Sequence, residues 1–277
     1  MAYDLNPVFF DAPPVAEVAL SIQTTPVPRL QTADMSVFWD RFLRAEYPHT
    51  QDQPAAPPMI ERFDSDALMP SVVFGFGGPL GRQWYLSEDQ TQLVQLQNDR
   101  LVVNWRRLSS QGYPHYKTLR ENIERIARQW SDYLEVEGFQ AQKVVQAEVT
   151  YINQLPVEEP LSSLSDLGAL FAALRPEWPA QMGRPELVQL EQRFVVDAPG
   201  EKRARMYLAV APAILEAGHN GLTINLVVRG APADTSLEGV LAWLDFAHNQ
   251  VVNSFADITT SAMRQKWRQH DGTSDKS

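Results

Sequence analysis

The sequence predicts an α+β protein: two copies of a β-α-β-β-β-α unit whose strands merge into one continuous, mostly antiparallel curved sheet with long helices packed on one face. Three observations predict it. Short segments of alternating polarity are interleaved with two long amphipathic stretches, and that order of elements runs twice along the chain. "AEVALSIQ" from Ala16 also aligns with "AEVTYINQ" from Ala147, an offset of about half the length. The first unit is expected over residues 1–140 and the second over 141–270, both within one pseudo-two-fold domain, with a loose tail at 271–277.

The first unit opens on "VAEVALSIQ", a strand entered through Pro13 and Pro14, whose fixed φ and missing donors suit a strand's beginning. "MSVFWDRFLRAEY" follows as a helix from Met35 to Tyr47, with Asp34 or Ser36 as its cap and Phe38, Phe42 and Leu43 on one side. "PHTQDQPAAPP" reads as a proline-rich connection. Three short strands come next, at Arg82 to Ser87, Leu93 to Gln97 and Arg100 to Arg106, the last two joined by Asn98 and Asp99 in a tight hairpin. A helix from about Tyr116 to Glu137 puts Leu119, Ile123, Ile126, Trp130 and Leu134 on one stripe, and Gly138 stops it.

The second unit repeats this order. "VVQAEVTYINQ" is a strand and "SSLSDLGALFAAL" a helix ended by Pro176. "LVQLEQRFVV", "ARMYLAVAPAI" and "GLTINLVVR" are three more strands. The last helix starts at Thr235 and Ser236 and carries Leu237, Leu241, Leu244, Val251, Phe255 and Ile258; its "AMRQKW" echoes "RIARQW" of the first long helix. A unit of three or four strands with one long helix leaves a sheet edge open, an aggregation hazard that joining two units edge to edge removes.

The Asn98–Asp99 turn sets a register in which Gln97 lies across from Arg100 and Leu93 across from Asn104. Val94, Leu96, Leu101, Val103 and Trp105 then face the helices, while Gln95, Gln97, Arg100, Asn104 and Arg106 share the other face. In the second unit Leu222, Ile224, Leu226 and Val228 face the helices and leave Thr223, Asn225 and Arg229 on the open side. That open face is expected to be at least partly solvent-accessible. Its amides and guanidinium groups offer directional donors and acceptors, which suits recognition; a plain solvated sheet face is the competing reading.

The combination of "PPVAEVALSIQ", "ERFDSD" at Glu61, "LVQLQNDRLVVNWRR", "VTYINQL" and "FADITTSAMRQKW" resembles a sporadically distributed, largely uncharacterised family of bacterial proteins of about this length, over nearly the whole chain. The resemblance implies an accessory, mobile or defence-associated gene and brings no established activity. Separately, the duplicated order of elements is similar to the saddle-shaped fold of TATA-binding protein, whose open face grips the DNA minor groove. The acidic balance and polar open face of this chain depart from that mode of binding.

Composition narrows the chemistry. There is no cysteine, which excludes disulfides, thiolate metal sites and a cysteine nucleophile. A net charge of −10 opposes phosphate binding. The start lacks a basic segment followed by a long apolar run and no window is long enough to span a bilayer, so the cytoplasm is expected and no membrane partner. "GFGGPLG" reads as a hairpin loop, because Pro79 and the strand after it exclude the helix N-terminus a phosphate would need. The five histidines lack zinc-site spacing, no G-x-S-x-G elbow is present, and His248 reads as a core or rim residue of the last helix. Neither a metal nor a cofactor is expected. Glu17 and Glu148 hold equivalent places in the two units and could be brought together at the dyad to divide acid and base roles, or be ion-paired to Arg100 or Arg106.

The leading expectation is a non-enzymatic protein that binds a protein or peptide partner on the polar face or in the dyad groove, antitoxin-like or defence-associated in its specific form. The alternative is a nucleic-acid or nucleotide binder using Arg82, Arg100, Arg106, Arg107 and Arg229. A hydrolase using Glu17 and Glu148 stands third, and the oligomeric state is open.

Overall fold

The computed structural model describes residues 8–63, 71–72, 81–108, 112–158, 161–172, 179–183, 185–215 and 218–271. In chain order the elements are β1 (Val8–Phe10), β2 (Val15–Thr24), α1 (Thr32–Phe38) with a π-helical turn at Trp39–Leu43, β3 (His49–Gln53), β4 (Met59–Ile60) and β5 (Ser71–Val72). Then come β6 (Arg82–Leu86), β7 (Gln92–Gln97), β8 (Arg100–Arg106), α2 (His115–Val136) and β9 (Val144–Pro156). The rest is α3 (Leu167–Leu170), a 3-10 turn at Ala180–Met182, β10 (Leu190–Ala198), β11 (Lys202–Ile214), β12 (Asn220–Gly230), α4 (Leu237–Ile258), α5 (Ser261–Lys266) and β13 (Gln269–Asp271).

Among the described residues one nine-stranded sheet dominates, in the order β10-β11-β12-β9-β2-β8-β7-β6-β3, and every pairing in it is antiparallel. Outward from the central β2–β9 pair the order is β8, β7, β6 on one side and β12, β11, β10 on the other. Ala19 faces Thr150 in that central pair. Glu17 faces Arg106 on β8, and Glu148 faces Arg229 on β12, so the two carboxylates hold matching places in their strands.

One face of the sheet buries apolar side chains under the helices. Val18 and Leu20, Val94 and Leu96, Val103, Val149, and the set Leu222, Ile224, Leu226 and Val228 are all essentially inaccessible. Fully burying each such side chain stabilises by roughly 1.5–3 kcal/mol. Helix α2 packs on β2 and β8 with Leu119, Ile123, Ile126, Trp130 and Leu134, as its spacing predicts, and α4 packs on β9 and β12. Gly138 takes φ +74° just past α2, the left-handed position that ends a helix at least cost with glycine.

The hairpin register is the one the turn predicts, from Gln97 opposite Arg100 to Leu93 opposite Asn104. Several elements differ. Helix α1 begins at Thr32, earlier than Met35, because Asp34 is not its cap but its third residue, reaching back 2.8 Å to the Gln31 N–H in a capping box. The connection after Pro48 contains β3, which pairs with β6 at the sheet edge. The described helix within 162–172 is only α3, opened by its N-cap Asp166 accepting from the Ala169 N–H and followed by Phe171, which bridges to Thr259. "AMRQKW" belongs to α5, separated from α4 by Thr259 and Thr260 in extended conformation, so its echo of α2 has no counterpart in the fold. The glycine-rich loop at 75–80 and the tail at 272–277 lie outside the described residues.

Candidate functional site

The polar face is built by strand alternation. One rung across it carries Gln97 on β7, Arg100 on β8, Gln23 on β2 and Gln146 on β9. The face is accessible only in part: Arg100, Arg106, Thr223 and Asn225 are half-buried, while Gln95, Gln97, Asn104 and Arg229 are buried. The segment 54–63, which leaves β3, is strapped across the strands over that rung and bonds to Gln97 and, through Glu61, to Arg229.

Two side-chain amides clamp the strap's main chain. Gln97 Oε1 accepts from the Ala56 N–H at 2.8 Å while its Nε2 donates to the Ala56 carbonyl at 3.0 Å. Gln146 Oε1 accepts from the Glu61 N–H at 2.9 Å while its Nε2 donates to the Met59 carbonyl at 2.6 Å. Between them Arg100 Nη2 donates to the Pro57 carbonyl at 3.1 Å. A primary amide has both a donor and an acceptor in one plane, so it can satisfy an extended backbone as a neighbouring strand would. Pro57 and Pro58 lack N–H groups, which leaves the strap no unmet donor at those positions.

The strap ends in a charged anchor. The Glu61 side chain is 1% exposed and accepts from Arg205, from Arg229 and, at 2.5 Å, from the Tyr207 hydroxyl. Arg229 also pairs with Glu148. Burial works against the Arg229 guanidinium, but Glu148 and Glu61 beside it outweigh that and hold its pKa above the ordinary value. Burial and the bond to Glu61 push the Tyr207 hydroxyl up to about 12. Beyond the anchor, Arg203 and Arg205 lie 4.9 and 4.7 Å from the Phe63 ring, and Arg203 Nη2 donates to the Phe63 carbonyl at 3.0 Å.

Beneath the strap a cavity of about 210 Å³ remains, lined by Ser21, Arg82, Gln95, Arg100, Asn104 and Glu148 among others. A hydrogen-bond chain crosses its floor: Arg82 Nη1 and Trp84 Nε1 donate to Gln95 Oε1, Gln95 Nε2 to Asn104 Oδ1, and Asn104 Nδ2 to Glu17 at 2.6 Å. Burial lowers the pKa of both Arg82 and Arg100, and for Arg82 the charge of Arg100 adds to the effect. Arg82 Nε, Arg100 Nε and Asn225 Oδ1 are buried without a hydrogen-bond partner among the described residues. Such groups are costly to leave unmet, which marks this face as incompletely satisfied.

The structure thus gathers Gln95, Gln97, Arg100, Asn104 and Arg229 around one cavity and strap, with Asn225 on the same face of β12. Arg106 lies apart, donating to the Gln90 carbonyl, and Arg107 donates to the Pro13 carbonyl. Glu17 and Glu148 are not a couple: Glu148 faces Ser21, four residues along β2 from Glu17, which at 3.3 Å per residue separates them by about 13 Å. Each has its own donor, Asn104 or Arg229, and neither bonds to Arg100. Alternation along β2, β9 and β11 marks Gln23, Gln146, Arg205 and Tyr207 for this face; Glu61 carries no signal of spacing. Among the described residues no three His, Asp or Glu side chains cluster in a way that could hold a metal ion, and no helix is long and apolar enough to cross a membrane. Set against known proteins, the chain matches no family model, and no curated protein is significantly similar to it.

Proposed function

We propose that the chain is a non-enzymatic binding protein that holds an extended, acidic segment of a partner protein across the polar face of its sheet. One observation carries the reading: the face already grips a main chain through paired amide bonds from Gln97 and Gln146 and seats a carboxylate between Arg205, Arg229 and Tyr207. Strand-like capture of a peptide backbone with one side-chain anchor is a general mode of peptide recognition. In this reading residues 54–63 are the resident occupant, and a partner segment with a glutamate or aspartate takes their place. The two halves are copies of one unit, the matching Glu17–Arg106 and Glu148–Arg229 registers supporting that origin. An antitoxin-like or defence-associated task in the bacterial cytoplasm is the specific form of the proposal, and the sporadic distribution implied by the sequence resemblance supports it. Nucleic-acid binding has less support, since Arg229 is neutralised by Glu61 and Glu148 and Arg100 is directed at the strap.

The test uses a fluorescein-labelled peptide with the sequence of residues 54–63. A tethered strap competes at an effective concentration on the order of millimolar, so the native chain should bind the free peptide weakly. Glu61→Ala loosens the strap, and peptide affinity measured by anisotropy should rise about tenfold or more. Adding Arg229→Gln should remove that gain. Equal affinity in all three chains, or none in any, contradicts the reading.

A further inference from the structure

On the opposite side of the sheet, where α2, α4 and β1 meet the end of β9, lies a cavity of about 1030 Å³. That is the size of a small-molecule site, which usually spans roughly 300–1,000 Å³. Its walls are aromatic and aliphatic, with Phe9, Phe10, Tyr116, Val252 and Phe255 prominent. Asn153, Asn249 and Asn253 add polar groups to the lining, and one polar cluster is tightly knit. Tyr113 and Tyr151 share a hydroxyl–hydroxyl bond of 2.9 Å, and the Tyr151 hydroxyl lies 2.9 Å from His248 Nδ1. The Tyr116 ring stacks flat on His248 at 3.8 Å, and the Tyr116 hydroxyl donates to Asp245, which Arg120 also holds. The imidazole is therefore fixed in place by three elements, β9, α2 and its own helix α4.

Its second nitrogen is the point of interest. A neutral imidazole has one donor and one acceptor, so whichever role Nδ1 plays toward Tyr151, Nε2 offers the other. Among the described residues nothing bonds to Nε2, and the ring borders the cavity. Burial drives the His248 pKa down to about 4, with Asp245 only partly opposing it. The charge nearest the imidazole is paired, Asp245 with Arg120; farther out on the lining, Lys117 lies 4.0 Å from Glu121 and Asp11 3.1 Å from His270 at the rim.

We propose that this cavity binds a neutral, planar, largely apolar small molecule that presents one hydrogen-bonding oxygen to His248 Nε2. The aromatic walls supply the flat apolar contact, the absence of an unpaired charge at the floor selects against ions, and the single imidazole position fixes orientation. This site is independent of the strapped face and stands or falls without it.

The probes are 1-naphthol and naphthalene, which share a ring system and differ by one hydroxyl, followed by saturation-transfer NMR and titration. Native protein should bind 1-naphthol saturably at one site. Val252→Trp, which fills the cavity from α4, should weaken it about tenfold, and Val252→Phe somewhat less. His248→Phe keeps the stacking on Tyr116 but loses the hydrogen bond; it should weaken 1-naphthol about fivefold and leave naphthalene within about twofold. Naphthol binding that is absent from the native chain, unchanged by both Val252 variants, or matched by naphthalene in its response to His248→Phe would overturn the proposal.

Discussion

Replacing Glu61 by alanine is expected to lower the unfolding free energy by about 3 kcal/mol, as measured by urea denaturation. The Glu61 carboxylate is 1% exposed, and without it Arg205 and the Tyr207 hydroxyl lose the anion that satisfies them. The effect falls at the lower end of the range for breaking a buried ion pair, because Arg229 keeps Glu148 and Arg205 is 18% exposed. A change under about 0.5 kcal/mol, typical of a surface substitution, would mean that the strap is only resting on the sheet.

The second large effect is an acid-sensitive contribution from His248. Its folded pKa is about 4 against 6.5 in the unfolded chain, depressed because burial disfavours the imidazolium. Below pH 6.5 the unfolded chain gains a proton that the folded chain refuses. Stability is therefore full above that pH and falls as pH drops toward 4, by up to about 3 kcal/mol. Subtracting the profile of His248→Phe isolates this group from the carboxylates; Asp89 and Asp234, held below the ordinary aspartate value by hydrogen bonds from Thr91 and Ser87 and from Ser236, lose their contributions only at lower pH. The variant should lose about 2 kcal/mol less than the native chain between pH 7 and pH 4.5. Parallel profiles would show an imidazole that titrates normally.

Where side-chain alternation carries information, the sequence is readable to the residue. The Asn98–Asp99 turn gives the β7–β8 register, and parity then assigns Val94, Leu96, Leu101 and Val103 to the core and Gln95, Gln97 and Asn104 to the far face. The two long helices follow from their apolar stripes. What escapes is whatever lacks a period. "HTQDQ" forms an edge strand with both sides polar, so β3 shows no alternation. Half of the strap is proline and alanine, and nothing in "PAAPPMIERF" reports that Gln97 and Gln146, from distant strands, will hold its backbone. A buried polar face implies a cover, and the sequence displays only the face. The His248 site is harder still: Tyr113, Tyr151 and His248 come from a loop, a strand and a helix, and only the completed fold brings them within 2.9 Å steps.

Native-state hydrogen exchange at Ala56 and Glu61 tests most directly whether the sheet face clamps a peptide backbone. Both amides donate to buried glutamine oxygens, at 2.8 and 2.9 Å. They should exchange at least about a hundredfold more slowly than in an unstructured chain, and Gln97→Ala should release Ala56 while leaving Glu61 protected. Exchange of both at the unstructured rate in the native protein would contradict the account.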